Sequence, residues 1–291
     1  MTNIFKGSGV ALVTPFNDDY SIDFDGLKKL VRYQIDNGTD FLVVQGTTGE
    51  SPTLSMDEKL KVLKAVQEEN NGRLPIVFGV GGNDTVAVCN TLRSLPDGIN
   101  GILSVSPYYN KPTQKGIVEH YQEVAAATKL PIILYNVPGR TGSNMTASTT
   151  LELAKIDNIV AVKEASGDLG QIMEIIQHKP EGFDVVSGDD AITMPMINLG
   201  ASGVISVVAN AFPKRFSQMV HASLANDVTL AREAHYDLLH VTNLFFMEGN
   251  PGGVKVSLAK QRLMSAVMRK PLYPVSEGLK LEIEKETERI L

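Results

Sequence analysis

The chain has 291 residues, of which 43% are hydrophobic and 21% are charged, and its formal net charge is −6. This length can bury one large core and a smaller appendage. The acidic balance, the absence of Trp and an aromatic content of only 6% disfavour a basic, base-stacking surface for nucleic acid. The single cysteine, Cys89, permits no intrachain disulfide and is interpreted as a small core residue.

Eight short apolar segments rich in β-branched residues recur along the chain. Near-continuous apolar runs of this length are typical of parallel strands that are buried on both faces. The predicted strands are residues 10–13, 41–44, 76–80, 102–105, 132–134, 159–162, 183–186 and 204–208.

Amphipathic segments of helical length separate these strands. Ser55 and Glu58 form a capping-box pattern that marks the start of one helix. Eight strand–helix units predict a (β/α)8 TIM barrel, and their number disfavours the competing open, doubly wound sheet. The predicted helices are residues 23–37, 55–69, 84–95, 113–128, 146–155, 168–178, 190–199 and 213–224.

No strand-like run follows residue 226, and helices are predicted at 227–247, 253–268 and 276–291. We therefore expect a catalytic barrel at residues 1–225 and a C-terminal helical domain at 226–291. Residues 1–9 lack the apolar segment of a signal peptide, and no apolar run reaches the length of a membrane span. A cytoplasmic protein that binds neither membrane nor nucleic acid is expected.

The working residues of such a barrel lie at the carboxyl ends of its strands. Lys163 directly follows the apolar run 159–162. Poor solvation of an ammonium there favours the neutral amine, which is the nucleophile that forms a Schiff base with a ketone. The alternative from position alone is a structural ion pair with Glu164 or another strand-end carboxylate.

Other strand ends supply hydroxyls and a second cation. Thr47 and Thr48 follow the second strand, and Tyr135 and Arg140 follow the fifth. With Lys163 they suit a pocket for carboxylates. Each also has a plainer interpretation: the threonines as loop caps, the tyrosine as a packed residue and the arginine as a surface or ion-pair residue.

Motifs for metals and nucleotide cofactors are lacking. The five histidines contain no i,i+4 pair, and neither H-E-x-x-H nor C-x-x-C occurs. The glycines at 79–82 do not complete G-x-G-x-x-G, because position 84 is Asp. A metal-dependent aldolase is disfavoured, and no cofactor other than a covalently bound substrate is expected.

Together, G-T-T-G-E-S at 46–51, Y-N-V-P-G-R-T-G at 135–142 and V-K-E-A-S at 162–166 resemble the dihydrodipicolinate synthase family. This family belongs to the superfamily of N-acetylneuraminate lyase and the 2-keto-3-deoxy sugar-acid aldolases. The resemblance extends from residue 9 to Asn250-Pro251 and Val254-Lys255. It implies that pyruvate condenses with Lys163, becomes an enamine and attacks L-aspartate 4-semialdehyde, a step of diaminopimelate and lysine biosynthesis.

The resemblance also implies roles for single residues. Tyr135, Thr47 and Tyr109 match the family's proton relay, with Tyr109 supplied by a neighbouring subunit of a homotetramer. Thr47 and Thr48 would bind the pyruvate carboxylate and Arg140 the carboxylate of the aldehyde. The backbones of Gly188 and Ile205 would line the pocket.

One group of positions departs from the family pattern. Ser51, Asn83 and Tyr108 resemble parts of the polar cluster that binds lysine in feedback-inhibited members. Where those members usually carry His or Glu, this chain has Met56, Lys59 and Ala87. Weak or absent inhibition by lysine is therefore expected. The rival functions are a sister aldolase that uses a sugar-derived 2-keto acid and a non-catalytic keto-acid sensor.

Overall fold

The computed structural model describes residues 5–291, and residues 1–4, the start of the predicted barrel domain, lie outside the description. Eight parallel strands follow one another around a closed barrel in which the last strand pairs with the first. This confirms the predicted TIM barrel and excludes the open sheet. The strands are β1 (Gly7–Ala11), β2 (Phe41–Val44), β3 (Ile76–Gly79), β4 (Gly101–Val105), β5 (Ile132–Asn136), β6 (Ile159–Glu164), β7 (Asp184–Ser187) and β8 (Gly203–Ser206).

Within residues 5–291, nine α-helices follow the strands of the barrel: α1 (Phe24–Asp36), α2 (Met56–Asn70), α3 (Thr85–Arg93), α4 (Gln114–Ala126), α5 (Pro138–Thr141), α6 (Ala147–Leu153), α7 (Leu169–His178), α8 (Thr193–Asn198) and α9 (Pro213–Leu224). The capping box of α2 is confirmed: the Ser55 hydroxyl accepts from the Glu58 N–H, and the Glu58 carboxylate accepts from the Ser55 N–H. Before α8, residues Asp190–Ile192 form a 3-10 turn where one longer helix is predicted.

Two strand boundaries differ from the prediction in a way that affects the site. β5 and β6 continue beyond their apolar runs, so Tyr135 and Lys163 are strand residues. β1 ends earlier than predicted. The Val13 N–H bonds to the side-chain oxygen of Asn210 at 3.1 Å, which takes the place of a ladder bond.

The apolar core has two layers separated by the strands. One packs between the strands and the surrounding helices, and Cys89 lies in it, 4% exposed, as expected. The other fills the barrel interior with side chains that alternate along each strand, as in other barrels of this type. Its members include Ala11, Val43, Val77, Leu103, Ile133, Tyr135, Ala161, Val186 and Ile205.

Three further helices follow the barrel: α10 (Val228–Met247), α11 (Gly252–Lys260) and α12 (Glu277–Ile290). The prediction that the second of them reaches residue 268 is wrong. Arg262 adopts a φ of 59°, which an α-helix does not allow. The division into domains at residue 225 stays a prediction. No helix among residues 5–291 is both long and apolar enough to cross a membrane.

A buried ion pair joins this helical region to the barrel. The Lys255 ammonium donates to the Glu50 carboxylate at 2.5 Å and to the carbonyls of Thr14 and Val267, each at 2.8 Å. Both side chains are fully buried. The Arg269 N–H donates to the other Glu50 oxygen at 3.0 Å. Burial lowers the pKa of Lys255, although Glu50 favours its charged form. The pair fixes the loop that follows β2.

We expect Lys255→Met to lower the free energy of unfolding by about 3–5 kcal/mol, because it leaves the buried Glu50 carboxylate without a counter-ion. Urea unfolding followed by circular dichroism measures the change. The control is Lys280→Met, which removes a solvent-exposed pair with Glu277 and should cost less than about 1 kcal/mol. Equal losses in the two variants would contradict a special role for the buried pair.

Candidate active site

A cavity of about 430 Å³ opens at the carboxyl end of the barrel strands. Its wall is formed by segments that end or follow β2, β3, β4 and β5. Three of the predicted site residues, Thr47, Tyr135 and Arg140, line it. Among residues 5–291, no group of three or more His, Cys, Asp or Glu side chains is arranged to hold a metal ion.

Lys163 lies on β6, in register with Tyr135 of β5 and Val186 of β7. Its side chain is buried in the barrel, and its Nζ lies 4.3 Å from the centroid of the Tyr135 ring. No residue from 5 to 291 forms a hydrogen bond or an ion pair with this amine. The Lys163 amino group is therefore buried next to a phenol ring, and no carboxylate among residues 5–291 pairs with it.

The alternative of an ion pair between Lys163 and Glu164 is wrong. Consecutive strand residues point to opposite faces, so Glu164 lies on the helix side of the barrel wall. There its carboxylate accepts from the Asn136 amide at 3.1 Å, the Ser166 N–H at 2.8 Å and the Gln171 amide at 3.1 Å. Glu164 is satisfied without a cation.

Gly188 and Ile205 border the Lys163 side chain and the barrel interior. A Cβ atom at position 188 would lie 3.0 Å from Lys163 Cε and 2.7 Å from the Ala165 Cβ. A side chain there would force the Ala165 side chain to shift and would crowd the lysine, so the glycine leaves room for Lys163. Ile205 is 1% exposed and packs in the interior layer with Tyr135.

The loop after β2 forms a 3-10 turn over Thr47–Gly49. Thr47 is half-buried at the cavity wall, whereas Thr48 is buried behind it. The Thr48 hydroxyl accepts a hydrogen bond from the Asn250 amide at 3.0 Å. Glu50 ends the turn in the left-handed conformation, with a φ of 56°. The buried pair with Lys255 holds it there.

Arg140 lies on the short helix α5, which the sequence patterns did not predict. Its side chain is exposed at the cavity, and its guanidinium has no carboxylate or hydrogen-bond partner among residues 5–291. The interpretation as an ion-pair residue therefore finds no partner within the described chain. A guanidinium that lines a cavity without a partner of its own suits a carboxylate of an incoming ligand.

Tyr109 is the predicted site residue that lies on the surface of the single chain, outside the cavity lining. It is 88% exposed and has a φ of 70°, whereas its neighbour Tyr108 lines the cavity. Lys163, Thr48, Gly188 and Ile205 lie behind the cavity wall or in the barrel.

The positions compared with the family's lysine-binding cluster also line this cavity. Three of them match that cluster (Ser51, Asn83 and Tyr108), and three depart from it (Met56, Lys59 and Ala87). Burial lowers the pKa of Lys59, and no carboxylate among residues 5–291 pairs with it. The substituted positions thus offer an amine and two apolar side chains to any ligand bound there.

Motif reasoning missed two residues that support the site. Asn250 contacts Thr48 across 202 positions of sequence, and only its place in the Asn250-Pro251 segment hinted at a role. Asp190 is buried, which raises its pKa to about 6. Its carboxylate accepts from the N–H groups of Val207 and Val208 at 3.0 and 3.3 Å, and so fixes the chain that follows β8.

Comparison with known proteins agrees with this geometry. The Dihydrodipicolinate synthetase family model matches residues 4–290. The 4-hydroxy-tetrahydrodipicolinate synthase of Parabacteroides distasonis is 54% identical over 271 residues, which cover 92% of this chain and 91% of that protein.

Two solved structures are also similar. The Acinetobacter baumannii dihydrodipicolinate synthase in complex with pyruvate has a TM-score of 0.96 and 39% identity, over 99% of each chain. A monomeric dihydrodipicolinate synthase variant has a TM-score of 0.94 and 37% identity, over 98% of this chain and 97% of that one. The fold, the matched length and these identities show that the chain belongs to the dihydrodipicolinate synthase family, whose members are class I aldolase-type lyases.

Proposed function

We propose that Lys163 forms the Schiff base through which this chain condenses pyruvate with L-aspartate 4-semialdehyde. The product is 4-hydroxy-tetrahydrodipicolinate, a precursor of diaminopimelate and lysine. The observation that carries the assignment is the Lys163 amino group, which is buried, has no counter-ion among residues 5–291 and lies 4.3 Å from the Tyr135 ring centroid. The neutral amine of a lysine is the nucleophile that adds to a ketone.

The reaction follows from these groups. The Lys163 amine adds to the pyruvate ketone, water leaves, and an imine forms. Loss of a methyl proton gives an enamine, whose carbon attacks the aldehyde. The amino group of the second substrate then attacks the imine carbon, which closes the ring and releases Lys163. The imine is the only electron sink that these steps use, so the proposal requires no metal or other cofactor.

Thr47, Thr48 and Arg140 would bind the two carboxylates. The threonines, on the loop after β2, would bind the carboxylate of pyruvate, and the Arg140 guanidinium, which has no partner among residues 5–291, suits the carboxylate of the aldehyde substrate. The backbones of Gly188 and Ile205 would complete the pyruvate pocket. Tyr135, Thr47 and Tyr109 would move protons between the reacting atoms and solvent.

Incubation with pyruvate and sodium borohydride should add one reduced pyruvate to the protein, because the hydride traps the imine as a stable secondary amine. Intact mass and peptide mapping should place the adduct on Lys163. Lys163→Ala should show no adduct, and Lys155→Ala, which removes an exposed lysine, serves as the control. A wild-type protein with no adduct would refute the mechanism.

Arg140→Ala should leave pyruvate trapping intact and lower kcat/KM for the aldehyde by roughly 100-fold, the effect of losing a charge-assisted carboxylate contact. Steady-state kinetics with each substrate varied in turn measures this. Arg140→Lys separates charge from the bidentate geometry. Equal loss of trapping and turnover would mean that Arg140 binds pyruvate or supports the structure.

We also propose a homotetramer built as a dimer of dimers, in which Tyr109 enters the site of a neighbouring subunit. Its 88% exposure supports this, since the side chain is available to a neighbouring subunit and does not line the cavity of its own chain. The monomeric relative shows that membership of the family leaves the assembly open.

Subunit mixing tests this arrangement. Lys163→Ala and Tyr109→Ala should each be nearly inactive alone. Co-expressed at equal amounts, they should regain about a quarter of wild-type activity, because half of the dimers are mixed and one of their two sites is intact. Sedimentation velocity should show a tetramer. Mixed subunits that stay inactive would place Tyr109 outside the neighbouring site.

Weak inhibition by lysine is the expected regulatory property. A bound lysine needs hydrogen-bond acceptors for its ammonium groups. Met56 and Ala87 offer none, and Lys59 offers another amine, which would repel them. Titration with lysine up to about 10 mM, well above the range of typical metabolite KM values, should change the rate little. Ala87→Glu should increase the inhibition. Strong inhibition of the wild type by millimolar lysine would reject the idea.

Two rival functions make different predictions. A sister aldolase would turn over sugar-derived aldehydes in preference to aspartate semialdehyde, so parallel assays of both distinguish them. A keto-acid sensor would form the adduct and turn over neither. We place the reaction in the cytoplasm, and cell fractionation of the source organism tests that location.

A further inference from the structure

A hydrogen bond from the C-terminal region determines whether the Thr48 hydroxyl is available as a donor or as an acceptor. The Asn250 Nδ2 donates to Thr48 Oγ1 at 3.0 Å, and both side chains are buried. An amide NH2 group can only donate, so it occupies an acceptor lone pair of the hydroxyl. The hydroxyl proton is then left to point elsewhere.

No group among residues 5–291 accepts that proton. The Thr48 side chain is 2% exposed, and the bond from Asn250 is its only hydrogen bond to the described chain. A buried donor without an acceptor is costly, and a bound anion removes that cost. The Thr48 hydroxyl can therefore donate to an acceptor that residues 5–291 do not supply, and the Asn250 Oδ1 beside it is itself buried without a partner.

We propose that Asn250 is a positioning residue that holds the Thr48 hydroxyl as a hydrogen-bond donor to the carboxylate of the keto-acid substrate. The inference rests on the proposed function, since it deepens how pyruvate is bound. Asn250, which follows the barrel in the sequence, would then be part of the substrate pocket.

The surroundings of Asn250 support a fixed position. It precedes α11, the helix that carries Lys255, and the Lys255–Glu50 pair ties that helix to the same loop as Thr48. The Arg269 guanidinium adds bonds to the Thr53 carbonyl at 2.9 Å and to Glu58. The Lys255–Glu50 pair and the Arg269 contacts, both from the C-terminal region, thus stabilise the loop that contains the turn at 47–49.

Substitution of Asn250 with Asp gives the sharpest test, because the side chains have nearly the same shape. The carboxylate would accept the Thr48 proton instead of leaving it free, and it would place a negative charge near the substrate carboxylate. We expect Asn250→Asp to raise the pyruvate KM by more than Asn250→Ala, which we expect to raise it about 5–10-fold. In both variants kcat and the KM for aspartate semialdehyde should change little.

A double-mutant cycle shows whether Asn250 acts through Thr48. In a Thr48→Val background, Asn250→Ala should cause no further rise in pyruvate KM, because the hydroxyl that it orients is gone. Thr48→Ser should keep the effect of Asn250→Ala. Pyruvate-dependent borohydride trapping measures binding directly, and thermal unfolding checks that each variant is folded.

Several results would overturn the proposal. The first is a normal pyruvate KM in Asn250→Asp, which would mean that the amide oxygen accepts from Thr48. The second is an undiminished effect of Asn250→Ala in the Thr48→Val background. The third is a fall in kcat with no change in the pyruvate KM. If Asn250→Ala does not fold, the Asp variant decides. Normal trapping by the wild type together with any of these results refutes this inference alone, whereas absent trapping refutes the proposed function as well.

Discussion

The alternation of side chains along one strand is the constraint from which the site follows. On β6, Lys163 points into the barrel and Glu164 points to the helices, so adjacent opposite charges never meet. Asn136 and Gln171 satisfy the carboxylate on the outer side. The lysine is thereby separated by the barrel wall from the acid that follows it in the sequence, and the missing side chain of Gly188 leaves it room. A one-residue shift of register would exchange the two faces and abolish this arrangement.

The barrel alone does not complete the site. The loop after β2 bends through a left-handed residue, Glu50, and such a backbone persists only when the surroundings hold it. Here the surroundings are the Lys255 ammonium and the Arg269 N–H, both from the C-terminal region. The helices beyond α9 therefore do more than cover the barrel: they shape the loop that carries Thr47 and Thr48.

Much of this architecture was predictable from local pattern. Apolar runs gave all eight strands, and Ser55 with Glu58 gave the start of α2, because both signals depend on residues close in sequence. The end of α11 was not predictable, since it depends on where residues 262–269 must lie to reach Glu50. Within the site, the position at the end of a strand was enough to identify Lys163 as a candidate. It did not show which group Lys163 contacts. The contact of Asn250 with Thr48 joins residues that are 202 positions apart in the sequence, so no local spacing rule predicts it.

The length of chain between Glu50 and its partners also affects how the protein is made. Lys255 and Arg269 follow Glu50 by 205 and 219 residues, and Asn250 follows Thr48 by 202. A chain that emerges from the ribosome amino end first can close its barrel before any of these residues is available. Until the last segment has docked, Lys163 would lie in a nearly complete barrel, while the loop that carries Thr47 and Thr48 would lack the contacts that hold it. The proposed site would therefore be complete only after the C-terminal residues have been synthesised.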